Sequence, residues 1–181
     1  LCRCKGDVAR VQPGERALDL AAGTGDVAFA AAEQGARTVG LDITHRMLQL
    51  ASAKAAAARF ITGDMASLPF SAGVFDLVTT SYGLRNVPDL DTAIDEIARV
   101  LKPGGRLLSL DFNRPENVIV RVVYLFYLSV VGSTLGWLLH RDPDTYRYIP
   151  ASISRYPGAG GVAARLAGRG FDQVEVVPVL F

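Results

Sequence analysis

The chain has 181 residues, enough for one domain with a sizeable core. Half of its residues are hydrophobic, 20% are charged, and the formal net charge of +1 gives no electrostatic footprint for nucleic acid. Cys2 and Cys4, one residue apart and distant in sequence from His45 and His140, form neither a zinc ligand set nor a disulfide framework, so no metal and a reducing, intracellular compartment are expected.

The first residues carry no apolar leader and no initiator methionine, which predicts a fragment of a longer chain. From Arg16 onward, short β-type runs alternate with alanine-rich helical patterns. "RALDLA" (16–21) is the first predicted strand, followed by Gly-Thr-Gly and a helix through "DVAFAAAEQ" (26–34). "RTVGLD" (37–42) is the second, followed by a helix over 45–58 with Thr44 as its expected N-cap. "RFITGD" (59–64) and "VFDLVTTS" (74–81) are the third and fourth. The next helix, "DLDTAIDEIARVL", places Leu90, Ala93, Ile94, Ile97, Val100 and Leu101 on one face and stops at "KPGG". "RLLSLDF" (106–112) is the fifth strand. This alternation predicts an α/β fold with a mostly parallel, doubly wound sheet and helices on both faces.

After Phe112 the pattern changes. Val118–Leu139 is apolar and aromatic, long enough for a membrane span, and Gly132-x-x-x-Gly136 resembles a helix-dimer motif. A single span would put the strands on either side of it across a bilayer. One or two helices forming a cap are therefore expected, with apolar surface for a membrane face. A polar, tyrosine-rich stretch (143–158), a short helix "GGVAARLAGRG" (160–170) and a closing strand "DQVEVVPV" (172–179) follow.

"LDLAAGTGD" puts an acid and two glycines at the end of the first strand, where only glycine turns tightly enough to approach a ligand at a helix N-terminus. Gly23-Thr-Gly25-Asp-Val-Ala28 also fits a dinucleotide fingerprint, and Asp42 could hold ribose hydroxyls in either case. Asp64 and Met65 separate the readings by supplying an acceptor and an apolar wall for adenine. Asp26, beside the loop, sets negative charge where a diphosphate would lie and tolerates a cationic ligand. S-adenosylmethionine is such a ligand. The stretch "TTSYGLRNVPDL", from Thr79, leaves the fourth strand with an arginine and an amide in place of ordinary turn chemistry.

Taken together, "LDLAAGTGD", "GLDIT", "SYGLRNV", "RVLKPGGRLL.LDF" and "D..TYRYIP.SI..YP" resemble the ubiquinone/menaquinone-biosynthesis C-methyltransferases of the UbiE type, over residues 13–177. The first motifs are general to class I methyltransferases; "GLRN" and "TYRYIP.SI" are more specific. The resemblance implies a Rossmann-like single domain over 1–181, with a helical substrate insertion at about 113–157 and further residues at both ends. It implies that Gly23, Thr24 and Gly25 hold the methionine part of the cofactor, Asp42 the ribose, Asp64 with Met65 the adenine, and that Ser81 faces the cofactor. The reaction implied is methyl transfer to a ring carbon of a prenylated hydroquinone. There Arg85, always charged, would stabilise a phenolate or orient a water, Asn86 would add a hydrogen bond, and Tyr146, Arg147 and Tyr148 would line the ring pocket. The expected setting is cytoplasmic, peripheral on the inner membrane face, with a homodimer as an option. The rival readings are a methyltransferase for another small molecule, a nicotinamide dehydrogenase, and a non-catalytic lipid-binding member of the fold.

Overall fold

Leu18, Leu20, Leu41, Leu77 and Val78 are all at most 1% exposed, a continuous apolar layer that only a sheet covered by helices can bury. The computed structural model describes residues 10–115, 117–141, 146 and 148–178. Contacts divide the chain into two units, Leu1–Asp111 and Phe112–Phe181.

The first unit holds a five-stranded sheet: β1 (Arg16–Leu20), β2 (Arg37–Asp42), β3 (Arg59–Thr62), β4 (Phe75–Ser81) and β5 (Leu101–Leu110). Its spatial order is β3-β2-β1-β4-β5, and every pairing is parallel. Helices α1 (Asp26–Glu33), α2 (His45–Lys54) and α3 (Leu90–Val100) connect the strands, and a single 3-10 turn, Leu84–Asn86, follows β4. The chain steps outward from β1 to β3 and then crosses back to β4. The order therefore reverses between β1 and β4, where open α/β sheets form a crevice beyond the strands' carboxyl ends.

Local chemistry explains each boundary. Asp89 caps α3 by accepting from the Asp91 and Thr92 amides, and Ala93, Ile94, Ile97 and Val100 form its buried stripe. Thr44 does sit at the N-cap of α2, but its side chain makes no capping bond. Its amide donates instead to Asp42 Oδ1 at 2.8 Å. The "KPGG" stretch is not a turn before the fifth strand. β5 already begins at Leu101, opposite Phe75, and the next pair is Arg106 opposite Leu77. The intervening residues bulge out of the ladder because proline has no amide to donate and Gly104 adopts φ +76°.

The second unit contains α4 (Val118–His140), α5 (Tyr148–Arg155) and α6 (Gly158–Ala167). The tyrosine-rich stretch thus yields a helix that composition did not signal. Asn117 caps α4 through the Ile119 and Val120 amides. α4 is apolar on all sides yet exposed: Ile119, Val123, Phe126, Trp137 and Leu139 each show more than 60% of their surface. It is long and apolar enough to cross a membrane by length and composition.

The expected closing strand is a correction. Residues 173–178 form no strand and pair with no ladder, and Val174, Val176 and Val177 are exposed. β-branched composition favours a strand only where a neighbour completes the hydrogen bonds. Among the described residues, no strand of the sheet follows α4. The topological objection to a span consequently loses one of the two strands on which it stood.

Candidate active site

The β1 exit is built from strained and tightly packed backbone. Ala21 is left-handed at φ +54°, and Gly25, the N-cap of α1, has φ +83°. A Cβ on Gly25 would lie 2.7 Å from Phe60 Cζ and 2.9 Å from Phe29 Cε2, inside the edge-to-face pair those rings form. Only glycine fits on both counts. Asp42 ties this loop to β2: its Oδ2 accepts from the Gly23 amide and its Oδ1 from the Thr44 amide, both at 2.8 Å. Thr24 Oγ1 donates to Asp26 Oδ2 at 2.9 Å, and Lys54 donates to Asp26 Oδ1 at 2.9 Å. The hydrogen bond from Lys54, with that from Thr24, lowers the Asp26 pKa, so a negative charge stands at the start of α1.

Asp19, under the loop, was read only as part of the glycine motif. It is 2% exposed and accepts from Thr79 Oγ1 of β4 at 2.7 Å. Burial pushes its carboxyl up to about 7, against the hydrogen bonds from Thr79 and the Ala28 backbone. Through these bonds Asp19 joins β1, β4 and α1.

At the β3 exit, Asp64 is exposed and accepts the Ala66 amide at 2.9 Å, while Met65 is buried. The loop beyond is clipped to α3. Glu96 Oε2 accepts the Leu68 amide at 2.6 Å, and Arg99 donates to the Phe70 and Leu68 carbonyls at 2.7 and 3.0 Å. Sequence periodicity placed the apolar residues of this helix and gave these two no role. Their spacing of three residues, opposite in charge, was the only signal available.

The β4 exit holds Ser81, half-buried as the last strand residue, then Tyr82 at φ +59°. Arg85 Nη1 donates to Asp111 Oδ1 at 2.6 Å and the Arg85 amide donates to Asp111 Oδ2 at 3.2 Å. The two side chains are only 4% and 5% exposed. Both Arg85 Nη1 and Asn86 Nδ2 donate to the Tyr82 carbonyl, at 3.2 and 2.9 Å. Asp111 was missed because nothing in "LDF" marks an acid at a strand end as the partner of an arginine 26 residues earlier.

Among the expected ring-pocket residues, Tyr146 and Tyr148 belong to the second unit, and Arg147 lies outside the described residues. A Cβ on Gly132 would lie 3.2 Å from Tyr146 Cβ. The spacing that resembled a helix-dimer motif therefore serves, at Gly132, close packing within the chain. A groove of about 730 Å³ runs between α4 and α5, lined by Leu125, Phe126, Val130, Pro150 and Ala151 among others.

The site thus gathers Gly23, Thr24, Gly25, Asp42, Asp64, Met65, Ser81, Arg85 and Asn86 at the carboxyl ends of four neighbouring strands. Comparison with known proteins gives the family. The family model described as the ubiE/COQ5 methyltransferase family matches residues 3–178. The chain belongs to that family. The demethylmenaquinone methyltransferase of Thermus thermophilus is 40% identical over 172 residues, covering 92% of this chain and 78% of that one. The ubiquinone/menaquinone biosynthesis C-methyltransferase UbiE of Shewanella oneidensis is 35% identical, covering 93% and 71%. Among solved structures, YcgJ from Bacillus subtilis is 34% identical with a TM-score of 0.60, covering 67% of this chain and 55% of its own. An S-adenosylmethionine-dependent methyltransferase from Mesorhizobium loti is 29% identical with a TM-score of 0.52, covering 55% and 47%. The chain spans about half the length of these two structures. This family member is a methyltransferase that takes its methyl group from S-adenosylmethionine.

The residues present fit that cofactor. Asp42 and Asp64 offer acceptors for hydroxyls and an amine, Met65 adds an apolar surface, and the ionised Asp26 beside the glycine loop opposes a diphosphate. The dehydrogenase reading is set aside by the family.

Proposed function

We propose that this enzyme methylates a ring carbon of a prenylated hydroquinone, either demethylmenaquinol or 2-methoxy-6-polyprenyl-1,4-benzoquinol, in menaquinone or ubiquinone biosynthesis. The observation that carries the reading is the similarity along nine-tenths of the chain to relatives named for quinone-biosynthesis methylation. Gly23, Thr24 and Gly25 bind the methionine portion of the cofactor, Asp42 the ribose, Asp64 and Met65 the adenine, and Ser81 lies beside it. S-adenosylmethionine supplies a methyl group already activated on a sulfonium. The protein then has to align the acceptor, favour its ionised hydroxyl and exclude water.

Arg85 keeps a cation at the β4 exit and cannot act as a base. Asn86 shapes the same turn through the Tyr82 carbonyl. The ring proton released after transfer passes to water. Acceptor recognition is assigned to Tyr146, Arg147 and Tyr148, and the groove between α4 and α5, within the second unit, to the prenyl chain.

The exposed apolar face of α4 supports contact with lipid, and so action at the inner membrane surface. Two of its hydroxyls are satisfied within the helix, Ser129 Oγ donating to the Leu125 carbonyl and Thr134 Oγ1 to the Val130 carbonyl, each at 2.8 Å. That arrangement suits hydrocarbon, where water is absent. In flotation with liposomes the wild type is expected to rise with the vesicles and Phe126→Asp to stay below; equal flotation of both would remove α4 from the membrane contact. The quinol reading is tested by incubating the enzyme with S-adenosylmethionine and each of the two quinols. Methylation of at least one is expected, and methylation of neither would contradict it.

A further inference from the structure

The Arg85–Asp111 pair converges on Tyr82, a residue of the "SYGLRNV" motif to which the sequence assigned no role. Tyr82 is the first residue beyond β4, at the point where the strand order reverses. Its neighbour across the crevice, Ala21 at the β1 exit, is likewise a left-handed non-glycine residue. Such backbone is strained and persists only where its surroundings impose it. At Tyr82 those surroundings can be named. Its amide donates to the Leu110 carbonyl at 2.8 Å. Its carbonyl accepts from both Arg85 and Asn86. The Arg85 guanidinium lies 5.2 Å from the centroid of its ring, a cation–π contact. Arg85 is in turn gripped by both carboxylate oxygens of Asp111.

Burial of an ion pair is weak evidence for stability, because desolvation offsets the attraction. What this pair achieves is orientation. These bonds end on Tyr82 or on Arg85, which holds it, yet 36% of Tyr82 stays exposed. A buried frame therefore holds a partly exposed tyrosine at the β4 exit.

We propose that Tyr82 is the aromatic platform against which the acceptor ring packs, and that Asp111, Arg85 and Asn86 are positioning residues acting through it. The inference rests on the quinol reading above. A flat, electron-rich hydroquinone matches an aromatic wall in shape, and offset or edge-to-face packing orients its reacting carbon. Both the cation–π contact and the stacking need the ring and not the phenolic hydroxyl. Tyr82→Phe is the conservative change.

The test is a set of Tyr82 variants, assayed for quinol methylation and, by calorimetry, for S-adenosylmethionine affinity. Tyr82→Phe should stay within about twofold of wild type. Tyr82→Leu should lose at least tenfold in kcat/KM for the quinol while cofactor affinity is unchanged. Tyr82→Gly relaxes the left-handed backbone and removes the ring, so it should keep the fold and show the same catalytic loss. A merely structural tyrosine would give the reverse order, with glycine tolerated. Wild-type kcat/KM in Tyr82→Leu, or a parallel loss of cofactor affinity in both Leu and Gly variants, would overturn the proposal and leave the quinol reading standing. A wild-type enzyme inactive on both quinols would take both down together.

Discussion

At the scale of single residues, the site is governed by carboxylates whose surroundings set them apart. Asp19 is buried and holds its proton to about pH 7, whereas its ordinary value is 3.8. As the pH rises above that ordinary value, the unfolded chain releases this proton and the folded chain keeps it. Asp19 therefore favours folding at acid pH, and its contribution is lost as the pH climbs to about 7. Asp19→Asn keeps a hydrogen-bonding group of the same shape without the titration. Between pH 4.5 and 7.5 its melting temperature should fall by several degrees less than that of the wild type; parallel curves in thermal denaturation would refute the assignment. Asp42 works differently, as both oxygens hold backbone amides of the loop and of α2. Asp42→Ala leaves two donors without their acceptors and is expected to weaken S-adenosylmethionine binding at least tenfold by calorimetry.

The elements show how side chains outside the crevice hold it in place. Asp89 begins α3 with accepted bonds to two amides, and Asp89→Ala should cost about 1 kcal/mol, or about 2–4 °C in Tm for a chain of this size. The Glu96–Arg99 pair on that helix pins the loop following Met65. Glu96→Ala should therefore reduce cofactor affinity beyond what its effect on Tm explains, as read by calorimetry beside differential scanning. Strands β1, β2 and β4 were legible almost to the residue, because each is a short apolar run closed by an acid, serine or glycine. The start of β5 was not, since proline and two glycines signal a break and cannot signal a bulge. The end of the chain failed for a related reason. Alternation in "DQVEVVPV" marks a segment able to pair, while pairing itself depends on a neighbour no local pattern can specify.

At the largest scale, the parallel order with its reversal between β1 and β4 places the proposed cofactor residues on one edge of the sheet. Strand ends were visible in the sequence, and so were Gly23, Asp42, Asp64 and the "GLRN" turn. What stayed hidden is long-range partnership. Arg85 with Asp111, Asp19 with Thr79 and Glu96 with Leu68 join residues 26 to 60 positions apart, and no spacing rule links them. These hidden pairs convert a list of motif residues into a fixed crevice. The central claim, methyl transfer from S-adenosylmethionine to a quinol ring carbon, is met most directly by one assay. The enzyme is incubated with methyl-labelled S-adenosylmethionine and either demethylmenaquinol or its benzoquinol counterpart, and the product is examined by mass spectrometry. The account predicts a gain of one labelled methyl group on the ring carbon of at least one quinol. Label on oxygen, or on neither quinol, would contradict it.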